Sequence, residues 1–183
     1  MDRRQPLPRI WLMTDERQGA ALLDAVARLP DGAGIVFRHY SLARAERRAL
    51  FERVRESAGL RGLLLLLAGP AAEARRWGAD GSHGRGGGEG LRTAPAHGPT
   101  EIRAAEADGA ALIFLSPVFA TRSHPGARPL GAAGFDALAS GTPLPVVALG
   151  GMDAARFDTL KNGWGWAAID AWTEPQKRKA VPT

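Results

Sequence analysis

Two adjacent glycines, Gly150 and Gly151, end the apolar run PVVALGG. Without a Cβ, their backbone N–H groups can approach an anion closely. An earlier apolar run, ALIFLS, leads into a loop carrying Thr121, Arg122, Ser123, His124 and Arg128. Hydroxyls, imidazole and guanidinium groups together suit a phosphate-sized ligand. Arg38 ends a third such run, GIVFRHY, where a ligand contact is favoured over a purely superficial role. The chain's four histidines, His39, His83, His97 and His124, all fall at or just beyond apolar runs. Imidazoles gathered in this way invite a metal-site reading. No i, i+4 histidine pair or accompanying carboxylate set supports it, so general acid–base work or phosphate hydrogen bonding by His97 and His124 is the preferred chemistry.

These residues need strands to hold them. Short apolar runs at 9–15, 34–40, 62–68, around 81–83, and at 91–97, 111–116, 145–151 and 165–172 read as buried strands. Amphipathic segments at 19–29, 42–59, 70–78, 100–108, 132–140 and 153–163 read as helices between them. Parallel strands need such crossovers, so the alternation predicts repeated βαβ units with a ligand site on the loops after the strands. In 34–40, period-2 alternation puts Val36, Arg38 and Tyr40 on one face and Phe37 and His39 on the other. Ser41 is the expected N-cap of the long second helix. The three consecutive glycines at 86–88 predict a mobile loop.

The runs SPVFATRSHPGARPLG and PVVALGGM, with GADGSHG and APAHGPTEIRAAEADGA upstream, resemble the thiamine-phosphate synthase and TenI family, over most of residues 9 to 172. That resemblance implies a compact (β/α)8 TIM barrel. It further implies joining of hydroxymethylpyrimidine diphosphate to thiazole phosphate with release of pyrophosphate, and use of Mg2+. By the same resemblance Arg38 holds a phosphate group, Thr121 and Ser123 occupy positions of phosphate-binding hydroxyls, and His97 is in register with a family histidine.

Several family positions are altered. Val36 and Tyr40 stand where the family has Gln and Lys phosphate contacts. Ala68, Gly69 and Pro70 replace a motif whose Asp binds Mg2+, and residues 85–89 replace the segment with the second metal Asp. Pro95 takes the place of a phosphate-binding Ser, having neither hydroxyl nor N–H. His124 replaces a Lys, with Arg122 and Arg128 near enough in sequence to compensate. Pro117 stands where TenI-type tautomerases carry a catalytic His, and Asp170 stands where a Ser helps hold phosphate, so its carboxylate would repel a dianion beside Gly150 and Gly151. Glu89, Asp15 and Asp170 are the carboxylates that could replace the lost metal ligands. Two readings follow, a synthase with an altered site and a regulatory barrel that binds thiazole or thiamine phosphate without turnover. A third, a different barrel reaction using His97 and His124, has no substrate to attach to it.

A chain of 183 residues with 45% hydrophobic content suffices for one barrel domain with its core at about 9–172 and a basic tail at 173–183. It is short beside the typical barrel of about 250 residues, and no segment reads as an eighth helix. That flank is expected to be open, frayed or covered by a partner, which leaves room for a homo-oligomer. Cysteine is absent, excluding disulfides, thiolate metal sites and a Cys nucleophile. The net charge of +5 is spread along helices with acids between, as in RAERRALFERVRE, and reads as solvated helix faces instead of a nucleic-acid surface. No run has membrane-spanning length and no signal-peptide pattern is present, so a cytoplasmic protein acting on a small phosphorylated heterocycle is expected: thiazole phosphate, pyrimidine diphosphate or thiamine phosphate.

Overall fold

The computed structural model describes residues 6–121 and 126–173. Eight parallel strands close into a barrel in sequence order, β1 pairing with both β2 and β8. They are β1 (Ile10–Met13), β2 (Gly34–Phe37), β3 (Leu64–Ala68), β4 (Gly81–His83), β5 (Leu91–Ala96), β6 (Leu112–Leu115), β7 (Val146–Leu149) and β8 (Gly165–Ala168). The helices between them are α1 (Leu22–Ala27), α2 (Arg44–Gly59), α3 (Ala71–Trp77), α4 (Pro99–Ala107), α5 (Gly131–Ser140) and α6 (Ala154–Phe157). This is the (β/α)8 barrel that the resemblance implies. None of the described helices is long and apolar enough to cross a membrane.

Strand alternation creates two apolar layers. Leu12, Ile35, Phe37, Leu65, Leu67, Ile113 and Leu115 point outward and join helix residues such as Phe51, Val54 and Trp77. Trp11, Met13, Val36, Leu66, Ala68, Leu112, Phe114 and Val147 point inward and fill the barrel. The unbroken leucines of β3 therefore serve both layers, as a strand buried on two faces requires. Inside, Trp11 meets Phe114 edge to face at 5.2 Å. Gly165 lets β8 close against β1, because a Cβ there would lie 1.9 Å from the Arg9 carbonyl oxygen.

Several local expectations change. The expected helix over 19–29 is split into a 3-10 turn, Glu16–Ala21, and α1, with Gly19 at φ 46° in the kink. The expected helix over 153–163 reduces to α6; beyond it, Asp136 accepts the Lys161 and Asn162 N–H groups and draws the chain away from a helical path. Ser41 does not cap α2, which begins after Ala43; its N–H and hydroxyl donate instead to Glu16 at 3.1 Å. The glycine-rich loop is tied down. Gly86 donates to the Asp108 carboxylate and accepts from Arg92, Arg85 pairs with Glu101, and Glu89 with Arg75.

After β8 comes a 3-10 turn, Asp170–Trp172. It stacks Trp172 on Trp166, with ring centroids 5.3 Å apart and planes 9° from parallel. Arg28 donates to the Trp172 carbonyl and the Trp172 indole to the Trp11 carbonyl. On the flank without an eighth helix, the described residues thus place Trp172 over Trp166 and tie it to β1.

Candidate functional site

The C-terminal ends of the strands form one rim, where barrels place their ligand sites. On the β1–β2 side, two loops are fastened residue by residue. The Thr14 hydroxyl accepts the Arg38 N–H at 2.9 Å and lies 3.0 Å from His39 Nδ1, while the Thr14 carbonyl accepts Arg38 Nε at 2.7 Å. Arg38 Nη2 reaches Asp15 at 3.0 Å, and Ser41 reaches Glu16. This fastening explains why β2 stops at Phe37 when alternation predicts a strand to Tyr40. His39 turns at φ 43°, stacks on Phe37 at 4.8 Å, and leaves Tyr40 65% exposed. Val36 is sealed in the barrel interior.

Arg38 is thus a pre-oriented cation. One edge of its guanidinium is fixed by Thr14 and Asp15, and its side chain keeps 20% exposure. Asp15 also accepts from Arg17. Burial by itself would raise the Asp15 carboxyl; hydrogen bonds and charge from Arg17, with the charge of Arg38, outweigh it and hold the carboxyl below its usual range. The hydrogen bond from Arg17 to Asp15 raises the Arg17 guanidinium's pKa against the effect of burial, with smaller contributions from the charges of Asp15 and Asp170. The chain leaves the sheet after Ala168, and Asp170 starts the turn that follows β8.

On the β6–β7 side, Gly150 and Gly151 have φ of 95° and 62°. A Cβ on Gly150 would stand 2.9 Å from Pro117, and one on Gly151 would stand 2.5 Å from the Ala120 carbonyl oxygen. Glycine at both places lets the β6 loop run against the end of β7, where Val118 and Phe119 donate to the Leu149 and Gly150 carbonyls. Neither glycine's own N–H has an acceptor among the described residues. Thr121 is half-buried on the same loop, and Arg128 is exposed before α5. Ser123, His124 and Arg122 lie outside the described residues.

His97 is exposed after β5, with Nδ1 at 2.8 Å from the Ser116 carbonyl oxygen. A carbonyl only accepts, so Nδ1 donates to it, and Nε2 is the ring nitrogen left outside that bond. His83 was visible in the sequence only as a histidine at a strand end. Strand register places it inside the barrel mouth beside Ala68 and Thr93, with Nδ1 2.9 Å from the Thr93 hydroxyl. Burial, and then the charge of Arg38, lowers its pKa to about 3. The unfolded imidazole titrates near 6.5, so between these values the unfolded state binds the additional proton. Stability should hold above about pH 6.5 and fall with pH down to about 3, by up to about 1.4 kcal/mol per unit. Urea unfolding across that window checks this: His83→Gln should show the shallower fall, and an equal slope would mean that the buried ring protonates freely.

Arg47, read from sequence as part of a solvated helix face, is 11% exposed. It lies one helical turn before Phe51 and so shares the inward face of α2. From there it donates to the Arg38 and Ala68 carbonyls at 2.9 and 2.7 Å, and its guanidinium lies over the Phe37, Tyr40 and Trp77 rings. It fixes the rim at the ends of β2 and β3. The only sequence signal for it is an arginine in register with the apolar stripe.

The metal positions do not fit a magnesium ion. At the end of β3 the Ala68 carbonyl accepts from Arg47, and Glu73 beside it is shared by Arg44 and Arg47. Glu89 is 83% exposed and paired with Arg75, and Asp15 is held by two arginines. Among the described residues no three His, Asp or Glu side chains could hold a metal together.

A model of the family described as thiamine monophosphate synthase matches residues 10–171. The Aquifex aeolicus protein named "Putative thiamine-phosphate synthase 2" is 38% identical over 81 residues, 43% of this chain and 44% of that protein, so the match spans less than half of the curated relative. The solved thiamine phosphate pyrophosphorylase of Pyrococcus furiosus superposes with a TM-score of 0.74 at 22% identity, covering 95% of this chain and 91% of that one. The 2-keto-3-deoxy-6-phosphogluconate aldolase of Zymomonas mobilis, solved with 3-phosphoglycerate, reaches 0.61 at 11% identity over 94% and 85%. At these identities the solved structures bear on the fold.

Proposed function

Because this chain belongs to the thiamine monophosphate synthase family, we propose that it acts in thiamine biosynthesis by synthase-type transfer at the barrel mouth. The substrates are a pyrimidine methyl diphosphate and a thiazole phosphate. The bond between the pyrimidine methylene carbon and the diphosphate oxygen breaks, and pyrophosphate leaves with the electron pair. The thiazole nitrogen then forms the new C–N bond. A dissociative step of this kind depends above all on stabilising charge on the leaving group. The observation that carries the reading is the pairing of an oriented Arg38 on one side of the rim with the N–H groups of Gly150 and Gly151 on another, which have no acceptor among the described residues. Arg38 would face the diphosphate and the glycines the thiazole phosphate. His97 Nε2 is the base available to the heterocycles, and Ser123 and His124 would complete the β6 loop.

A second reading, a barrel that binds thiazole or thiamine phosphate without turnover, is favoured by one observation: carbonyl-bound Arg47 and ion-paired Glu89 stand where metal carboxylates would be needed. One assay separates the two. Purified protein is incubated with both substrates, with and without Mg2+, and thiamine phosphate is quantified against heat-inactivated protein. Product in either arm supports transfer. No product in either arm overturns it, and thiamine phosphate binding in the same preparation would then leave the binding barrel.

A further inference from the structure

The cations at the barrel mouth are not equivalent. Arg38 and Arg17 share Asp15 as a counter-charge, and Arg47 is occupied by two carbonyls with Glu73 3.9 Å away. Arg156 differs. From α6 its Nη1 donates to the Gly151 carbonyl, and its guanidinium carbon lies 5.4 Å from the Phe119 ring centroid. A Cβ on Gly151 would come within 3.2 Å of that nitrogen, so the guanidinium lies directly against the glycine pair. Among the described residues no carboxylate pairs with it. Asp153, three residues before it, accepts the Arg156 backbone N–H at 2.8 Å.

A full positive charge is therefore steadied by one carbonyl and one aromatic face, beside two N–H groups that have no acceptor among the described residues. A guanidinium has five donors in a planar fork, and one bond to Gly151 leaves the others for a ligand. Fork and amides together match a phosphate monoester, which offers several acceptor oxygens and a compensating charge. Sequence proximity pointed to Arg122 and Arg128 as substitutes for the lysine lost at position 124. Arg128 is exposed in the segment before α5, whereas Arg156 touches the glycine pair itself.

We propose that Arg156 is a phosphate-binding residue which, with the Gly150 and Gly151 N–H groups, takes the monoester phosphate of the ligand. This rests on the phosphate site of the proposed function and names the cation that completes it. The test is calorimetric titration of wild type, R156Q and R156K with thiamine phosphate and with unphosphorylated thiamine. Arg156 is exposed, so both variants should melt as wild type does. R156Q should bind thiamine phosphate about 10- to 100-fold more weakly with thiamine binding unchanged, and R156K should recover part of the loss. Unchanged thiamine phosphate affinity in R156Q, or equal losses for both ligands, would overturn the role of Arg156 and leave the phosphate site standing. A wild type that does not distinguish thiamine phosphate from thiamine would overturn the site and this inference with it.

Discussion

Arg38→Ala should bring thiamine phosphate formation to background and weaken pyrophosphate binding by about 10- to 100-fold, as expected when a charge-assisted contact is removed from a partly desolvated site. The fold should survive. Asp15 keeps Arg17 as a partner, so no buried carboxylate is orphaned, and the Thr14 carbonyl loses only one donor. The stability cost should be about 1 kcal/mol, readable by urea unfolding. Arg38→Lys keeps the charge but cannot span Thr14 and Asp15 with one planar group, so it should recover affinity better than turnover. Turnover by Arg38→Ala at the wild-type rate would remove Arg38 from the site and shift the search for the diphosphate contact elsewhere on the rim.

Trp172→Ala should cost about 3–5 kcal/mol, the range for truncating a buried aromatic side chain. Set against a total stability of about 5–15 kcal/mol, that is enough to leave a large unfolded fraction at growth temperatures. The loss has two parts. The indole is 8% exposed and stacked on Trp166, so its removal empties the flank and wets a second tryptophan. It also removes the hydrogen bond to the Trp11 carbonyl, on the strand where β8 closes the barrel. Trp172→Phe should recover most of the stability. A loss below about 1 kcal/mol for the alanine variant would show that the flank is covered without this indole.

Sequence alone placed most of the strands and helices, because strand burial leaves a period that chemistry can read. The doubly apolar β3 and the amphipathic α2 announce themselves, and parallel pairing follows from strands joined by helices, whereas closure into a barrel was implied by the family resemblance and not by any periodicity. Gly150 and Gly151 were legible for a similar reason, since backbone approach requires the missing Cβ whatever surrounds it. The missing metal carboxylates could be seen from residue identity, whereas the pairing of Glu89 with Arg75 emerges only in the tertiary structure.

What the sequence left undecided was the choice of partners by long polar side chains. Arg38, Arg47 and Arg156 look alike in a string, yet one is oriented by Thr14 and Asp15, one supports the rim from beneath, and one lies against the glycine pair with no acidic partner among the described residues. The same holds for Trp166 and Trp172, whose stacking joins the end of β8 to the turn that follows it. Periodicity records which face a residue occupies. A guanidinium or an indole reaches several ångströms beyond that face, to groups brought near by closure of the barrel, so its role is decided only once β1 meets β8 and the loops settle against one another.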